Sequence, residues 1–221
     1  MTNPTVFQFL LLISTSILLP EALTAGLCTT GLHANDYRHE FQFFAGYSPQ
    51  SSTLIGTTVD RRFALAGFSY SYTCWSSAKV SLAYTAGVLP VAVLFEPSEY
   101  FYDDVSRTGS IRRFSPSHAV YGVGVTPIGL TADFLRTRKL HPFFQADGGI
   151  IASTEPIPAN VANATGLNFL FDFGGGAQWR LDKRHAIKLG YKFLHISNAG
   201  TTSANPGVDN NVFYVGFSLL K

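Results

Sequence analysis

Charge is what this chain of 221 residues has least of: only 14% is Asp, Glu, Lys or Arg, against about a quarter in an average soluble domain. The few charges nearly balance, 16 basic against 14 acidic. That excludes a nucleic-acid surface, which needs a basic excess on one face. Long apolar runs are missing too. Beyond the N-terminal segment the longest, residues 88–95, is broken by Pro90 and falls far short of the roughly 20 residues of a membrane-crossing helix. Common catalytic motifs are absent: there is no Gly-x-Ser-x-Gly elbow, no phosphate-cradling loop and no His-Glu-x-x-His pair. Gly122-Val123-Gly124 runs into Thr126-Pro127 and not into a helix, which excludes a dinucleotide site. Gly174-Gly175-Gly176 falls inside a predicted strand, where it permits close backbone packing. Disorder is excluded as well, since 46% of the chain is hydrophobic and 14% aromatic.

The N-terminus holds an apolar run over 6–19, closed by Pro20 and Glu21 and followed by the small residues Ala22, Thr24, Ala25 and Gly26. This order predicts a secretory signal over 1–25, although no Lys or Arg precedes the run; a buried N-terminal helix is the alternative. Leu27 before Cys28 argues against lipid attachment there. Residues 26–37 then form a periplasmic N-terminal segment, and 38–221 the folded domain. An exported, weakly charged chain without membrane helices has one other way into a bilayer, which is to close a sheet into a barrel.

Period-two segments predict eight strands, over 39–48, 61–74, 80–95, 119–130, 140–153, 168–180, 185–197 and 209–220. The connections alternate strictly. Those over 76–79, 136–139 and 181–184 are tight and polar; those over 49–60, 96–118, 154–167 and 198–208 are longer and rich in Ser, Thr, Pro, Asn and Gly. Short turns at one end and long loops at the other predict an all-β fold, an eight-stranded antiparallel transmembrane β-barrel of the outer membrane. A soluble sandwich has no reason to sort loop length by end.

Side-chain parity agrees. Phe169, Phe171, Phe173, Ala177 and Trp179 share one face, as do Ile187, Leu189, Tyr191 and Phe193, and Phe213, Val215, Phe217 and Leu219. In a small barrel in lipid these point outward, leaving Glu40, Gln42, Gln145, Asp147, Asp172, Lys188 and Lys192 as a polar plug inside. The strand over 61–74 is ambiguous by parity. Cys28 and Cys74 both fall at the periplasmic end, where an oxidising compartment permits a bridge without requiring one. His39, His118, His141 and His185 read as strand-end or interfacial residues.

One stretch stands apart. His195 and Ser197 are two apart on a strand and rise from the same, outward face; Asp209 shares the outward parity of Phe213 on the next strand. A hairpin thus brings a hydroxyl, an imidazole and a carboxylate to one spot at the loop end. Spacing alone leaves open an ordinary polar loop rim in wet headgroups.

The run His195-Ile-Ser197-Asn198-Ala199-Gly200, with Asn205-Pro-Gly207-Val-Asp209 and the strand Phe213-Tyr-Val-Gly-Phe217, resembles the C-terminal signature of the PagL family of outer-membrane lipid A 3-O-deacylases. The resemblance implies Ser197 as nucleophile, His195 as general base and Asp209, where the family usually has Glu, as the group orienting the imidazole. It implies Asn205 as an oxyanion donor, with Asn198 and Gly200 as further candidates. No cofactor or metal is required. The implied partners are lipid A as substrate and the surrounding outer-membrane lipids, with the site towards the outer leaflet and no nucleic acid; homodimer formation is left open. A non-enzymatic barrel acting through its longest loop, as adhesin or structural protein, and an outer-membrane phospholipase are the alternatives.

Overall fold

The computed structural model describes residues 37–105 and 109–221. The predicted signal, the segment up to residue 36 and Cys28, and with it the question of a bridge to Cys74, lie outside the described residues.

The strands are β1 (His39–Ser48), β2 (Ser51–Ser52), β3 (Arg62–Ser76), β4 (Val80–Glu96), β5 (Glu99–Val105), β6 (Gly109–Ser115), β7 (His118–Phe134), β8 (Leu140–Ile157), β9 (Thr165–Arg180), β10 (His185–Ser197) and β11 (Val208–Leu220). Eight long ones pair antiparallel in the order β1-β3-β4-β7-β8-β9-β10-β11. β11 returns to β1, from Glu40 opposite Leu220 to Tyr47 opposite Phe213, and closes the sheet. No long strand is left with an unpaired edge, which is what lipid demands of a backbone. The two-residue β2 adds to β11, and β5 and β6 form a separate hairpin within the second long loop. β8 and β9 extend further towards the long-loop end than the sequence predicts, and β7 further towards the short turn, because period two continues past the predicted ends.

Outward positions carry the aromatics. Phe43 and Phe68 meet across β1 and β3 with ring centroids 4.9 Å apart, and Tyr191 and Phe213 across β10 and β11 at 5.4 Å. Phe41, Phe144, Phe169, Phe171, Trp179, Leu189 and Phe217 are exposed, a pattern costly in water and favourable in hydrocarbon. The glycine run of β9 lets the backbones close up: a Cβ on Gly174 or Gly176 would sit 2.1 or 2.0 Å from a carbonyl oxygen of β10.

The interior divides into two halves. Towards the short turns it is polar, as predicted. Lys188 Nζ pairs with Glu40 Oε1 at 2.8 Å, Lys192 Nζ with Asp172 Oδ2 at 3.0 Å, and Ser218 donates to Glu40 at 2.7 Å. Tyr37 stops this end, its ring 3.6 Å below the Arg136 guanidinium and its hydroxyl accepting from Gln178 at 3.2 Å. His141, expected as a strand-end or interfacial residue, does begin β8 but points inward with no exposure, Nδ1 3.3 Å from the Arg138 carbonyl. Towards the long loops the prediction of a polar interior fails. Phe63, Leu65, Leu94, Val120, Ile151, Leu170, Leu194, Ile196, Val208 and Val212 form one buried cluster. That split explains the parity of β3, whose inner face changes from Phe63 and Leu65 to Ser71 and Thr73 along one strand.

The long loops are tied together. Arg61, buried, donates to Val59 O at 2.6 Å, Glu96 at 2.7 Å, Glu99 at 2.5 Å and Asn160 at 3.3 Å, and so joins the first, second and third loops.

Candidate active site

The hairpin β10–β11 reverses its polarity along its length. Near the short turns Ile187, Leu189 and Tyr191 face out while Lys188 and Lys192 face in. Four residues further on, Leu194 and Ile196 are buried inside and His195 and Ser197 lie on the outer face; Val208 and Asp209 repeat the arrangement on β11. A sheet that buries aliphatic side chains on one face and presents polar ones on the other is built as in water. The inner-face change is shared with other strands, but the neighbouring β9 does not share the outer-face one. On β9, Phe169 and Phe171, opposite Ser197 and His195, stay exposed and apolar.

Register sets the first contact. His195 lies directly opposite Asp209, and its Nδ1–H donates to Asp209 Oδ1 at 2.6 Å. An ionised carboxylate only accepts, so this bond places the neutral ring's proton on Nδ1 and leaves the Nε2 lone pair free to take another. Aspartate therefore reaches the ring despite lacking one methylene. Its side chain has no exposure, and that of His195 is 15% exposed. Asp209 Oδ2 takes two further hydrogen bonds from backbone far away in sequence, Ile55 N–H at 2.7 Å and Gly56 N–H at 2.9 Å. Ser197 ends β10 two residues from His195 on the same face, partly exposed, and its hydroxyl makes no hydrogen bond among the described residues.

The loop after Ser197 starts with a tight turn. Thr201 N–H donates to Asn198 O at 3.1 Å, with positive φ at Ala199 (51°) and Gly200 (77°), the type I′ geometry that suits twisted strands. Asn198 organises it. Its side-chain oxygen accepts Gly200 N–H at 2.9 Å, and its amide donates to Thr202 Oγ1 and Ala204 O, each at 2.7 Å. Both amide hydrogens of Asn198 and the N–H of Gly200 are thus engaged within the loop. Asn205 differs. Its Oδ1 accepts Asn198 N–H at 3.1 Å, while its exposed Nδ2 has no partner among the described residues.

Two glycines pack around the site, Gly207 from the signature and Gly56 from the first long loop. Gly207, at φ 64°, lies against the His195 ring; a Cβ there would stand 2.8 Å from Cε1. Gly56 packs on the Gly207 carbonyl, where a Cβ would stand 2.7 Å from the oxygen. Gly207 stands in the signature quoted above and Gly56 is a glycine among polar loop residues, but neither pattern says which backbones must approach.

A family model described as lipid A 3-O-deacylase (PagL) matches residues 61–218. Among solved structures, the outer membrane enzyme PagL is similar at a TM-score of 0.56 and 15% identity, over 79% of this chain and 97% of that one. Neisserial surface protein A follows at 0.49 and 10%, over 82% and 96%. Ail of Yersinia pestis follows at 0.43 and 11%, over 84% and 99%. No curated protein sequence matches the chain. The structural likeness speaks for the barrel; the family match spans the greater part of the sequence and includes the hairpin that carries His195, Ser197 and Asp209, and by it this chain belongs to the PagL family of outer-membrane lipid A 3-O-deacylases.

Proposed function

We propose that this chain hydrolyses the ester that holds the 3-O-linked acyl chain of lipid A, with Ser197 as nucleophile, His195 as general base and Asp209 as the group that holds the imidazole. The observation that carries the reading is the 2.6 Å bond from His195 Nδ1 to a fully buried carboxylate on the outer face of a lipid-embedded barrel. It supports a ring held in the tautomer that accepts a proton at Nε2, beside a serine on the same strand face.

The steps follow. Ser197 Oγ attacks the ester carbonyl as its proton passes to His195 Nε2, and the carbonyl oxygen becomes negative. Asn205 Nδ2 donates to that oxygen, its own Oδ1 being anchored by Asn198; such a donor has been worth about 3 kcal/mol where one was removed elsewhere. The tetrahedral intermediate collapses by breaking the bond to the sugar oxygen, which takes the proton from His195. Water, deprotonated by the same ring, then attacks the Ser197 ester and frees the fatty acid. Throughout, the acyl chain stays in the leaflet against the apolar wall of Phe169 and Phe171 beside Ser197.

The test is expression in a Gram-negative host that lacks such an enzyme, read by mass spectrometry of lipid A. The parent removes one acyl chain; Ser197→Ala leaves lipid A intact while the barrel still shows heat-modifiable migration. Unchanged lipid A with the parent would instead favour a non-enzymatic barrel, and release of fatty acid from phospholipid alone a phospholipase.

A further inference from the structure

The first long loop, residues 49–61, does not stand away from the barrel. It runs antiparallel beside β11, with Ser51 opposite Asn210 and Ser52 opposite Asp209. It then turns over 53–56 and comes back along the fourth loop. There Thr57 N–H donates to Pro206 O at 2.7 Å, Thr58 N–H to Gly207 O at 3.3 Å, and Thr58 bridges Val208 in parallel. The inside of this turn points two backbone N–H groups, from Ile55 and Gly56, at Asp209 Oδ2. A carboxylate without exposure is costly unless its oxygens are satisfied. Here one oxygen faces His195 and the other is filled by the loop, so the side chain has a single orientation in which all three bonds exist together.

We infer that the turn at Ile55–Gly56 is a positioning device for catalysis: its two amides fix the Asp209 carboxylate so that the acid holds His195 in register with Ser197. The inference rests on the triad reading above. Gly56 is the position that makes the device specific. A side chain there would stand 2.7 Å from Gly207 O, 2.8 Å from Gly207 C and 3.1 Å from Asp209 Oδ1. The first two are backbone and cannot swing aside, so a Cβ must lift the turn off the carboxylate. Ile55 contributes through its amide alone, since its side chain is 58% exposed. Neither residue touches the ester; both act through Asp209.

The experiment compares Gly56→Ala and Ile55→Pro with the parent in detergent–lipid A mixed micelles, scoring folding by heat-modifiable migration. Gly56→Ala moves both donors and Ile55→Pro deletes one. Each is expected to lower kcat about 10²-fold, the scale of a misplaced catalytic group, with KM unchanged to within about twofold. In an Asp209→Asn background the same substitutions add no further loss, because the group they position is already compromised. By NMR, the downfield proton on His195 Nδ1 and the amide protons of Ile55 and Gly56 are expected to shift together on Asp209→Asn. If one variant fails to fold, the other and the NMR shifts decide. Parental kcat in folded Gly56→Ala and Ile55→Pro, loss confined to KM, or losses that multiply with Asp209→Asn would each overturn the clamp. Retained deacylation in Ser197→Ala would instead overturn the triad reading, and the two failures are distinguishable.

Discussion

The two ends of the β10–β11 hairpin are built on opposite rules. At the short-turn end the outer face is apolar, and the inner face carries Lys188 and Lys192, paired inside the barrel with Glu40 and Asp172 of nearby strands. At the long-loop end the inner face is aliphatic, with Leu194, Ile196 and Val208 wholly buried, and the outer face carries His195, Ser197 and Asp209. In the first half, charge fills a space that would otherwise admit water. In the second, an aliphatic floor beneath the sheet backs His195, Ser197 and Asp209 on its far side. One pair of strands therefore performs two tasks, and damage to each end should be separable: turnover lost above, stability lost below.

The sharpest break at the upper end is Asp209→Asn. It keeps the shape and removes the charge that faces His195 Nδ1–H, so deacylation should fall by about 10³–10⁴-fold, as for such a change in other triads. Heat-modifiable migration should be unchanged. Next comes Gly207→Ala, which strains a left-handed backbone and sets a Cβ 2.8 Å from the His195 ring. A loss of about 10²-fold in rate, measured by lipid A mass spectrometry over time, is expected from a barrel that still folds. At the lower end the readout changes. Glu40→Ala strands Lys188, whose Nζ pairs with Glu40 at 2.8 Å, and should cost about 3–5 kcal/mol in urea unfolding with the turnover of the folded protein intact. A rate loss there equal to that of Gly207→Ala would break the comparison.

The smallest effect lies in the turn between β9 and β10. Backbone N–H of Arg184, then the side chain and N–H of His185, hold the Asp182 carboxyl below the usual carboxylate range. Its folded value being depressed, its contribution is present above the ordinary carboxylate pKa and lost as pH falls through the lowered one. Asp182→Asn should therefore lower the melting temperature slightly near neutrality and converge with the parent in strong acid.

Much of this frame was legible in the chain itself. Alternation of Phe169, Phe171 and Trp179 against Asp172 and Gln178 gives strand, face and environment at once, and loop lengths give the ends. The hairpin was legible for the same reason: His195, Ser197 and Asp209 are close in sequence, and strand parity carries them to one face. The amides of Ile55 and Gly56 were not. They reach Asp209 across more than 150 positions, and a backbone N–H has no letter of its own in a sequence. The apolar upper lumen was missed because the rule of aromatics outside and polar residues inside was applied to the whole strand, whereas Phe63 and Leu65 obey it only in reverse.

Arg61 has a consequence for anyone who would engineer this barrel. Its guanidinium grips the carbonyl of Val59 together with Glu96, Glu99 and Asn160, so an epitope or tag spliced into the third loop pulls on the same knot that seats the first loop over Asp209. Among the described residues the tight turns at the opposite rim share no such tether to His195, Ser197 and Asp209, so a label spliced there is expected to leave the site in place.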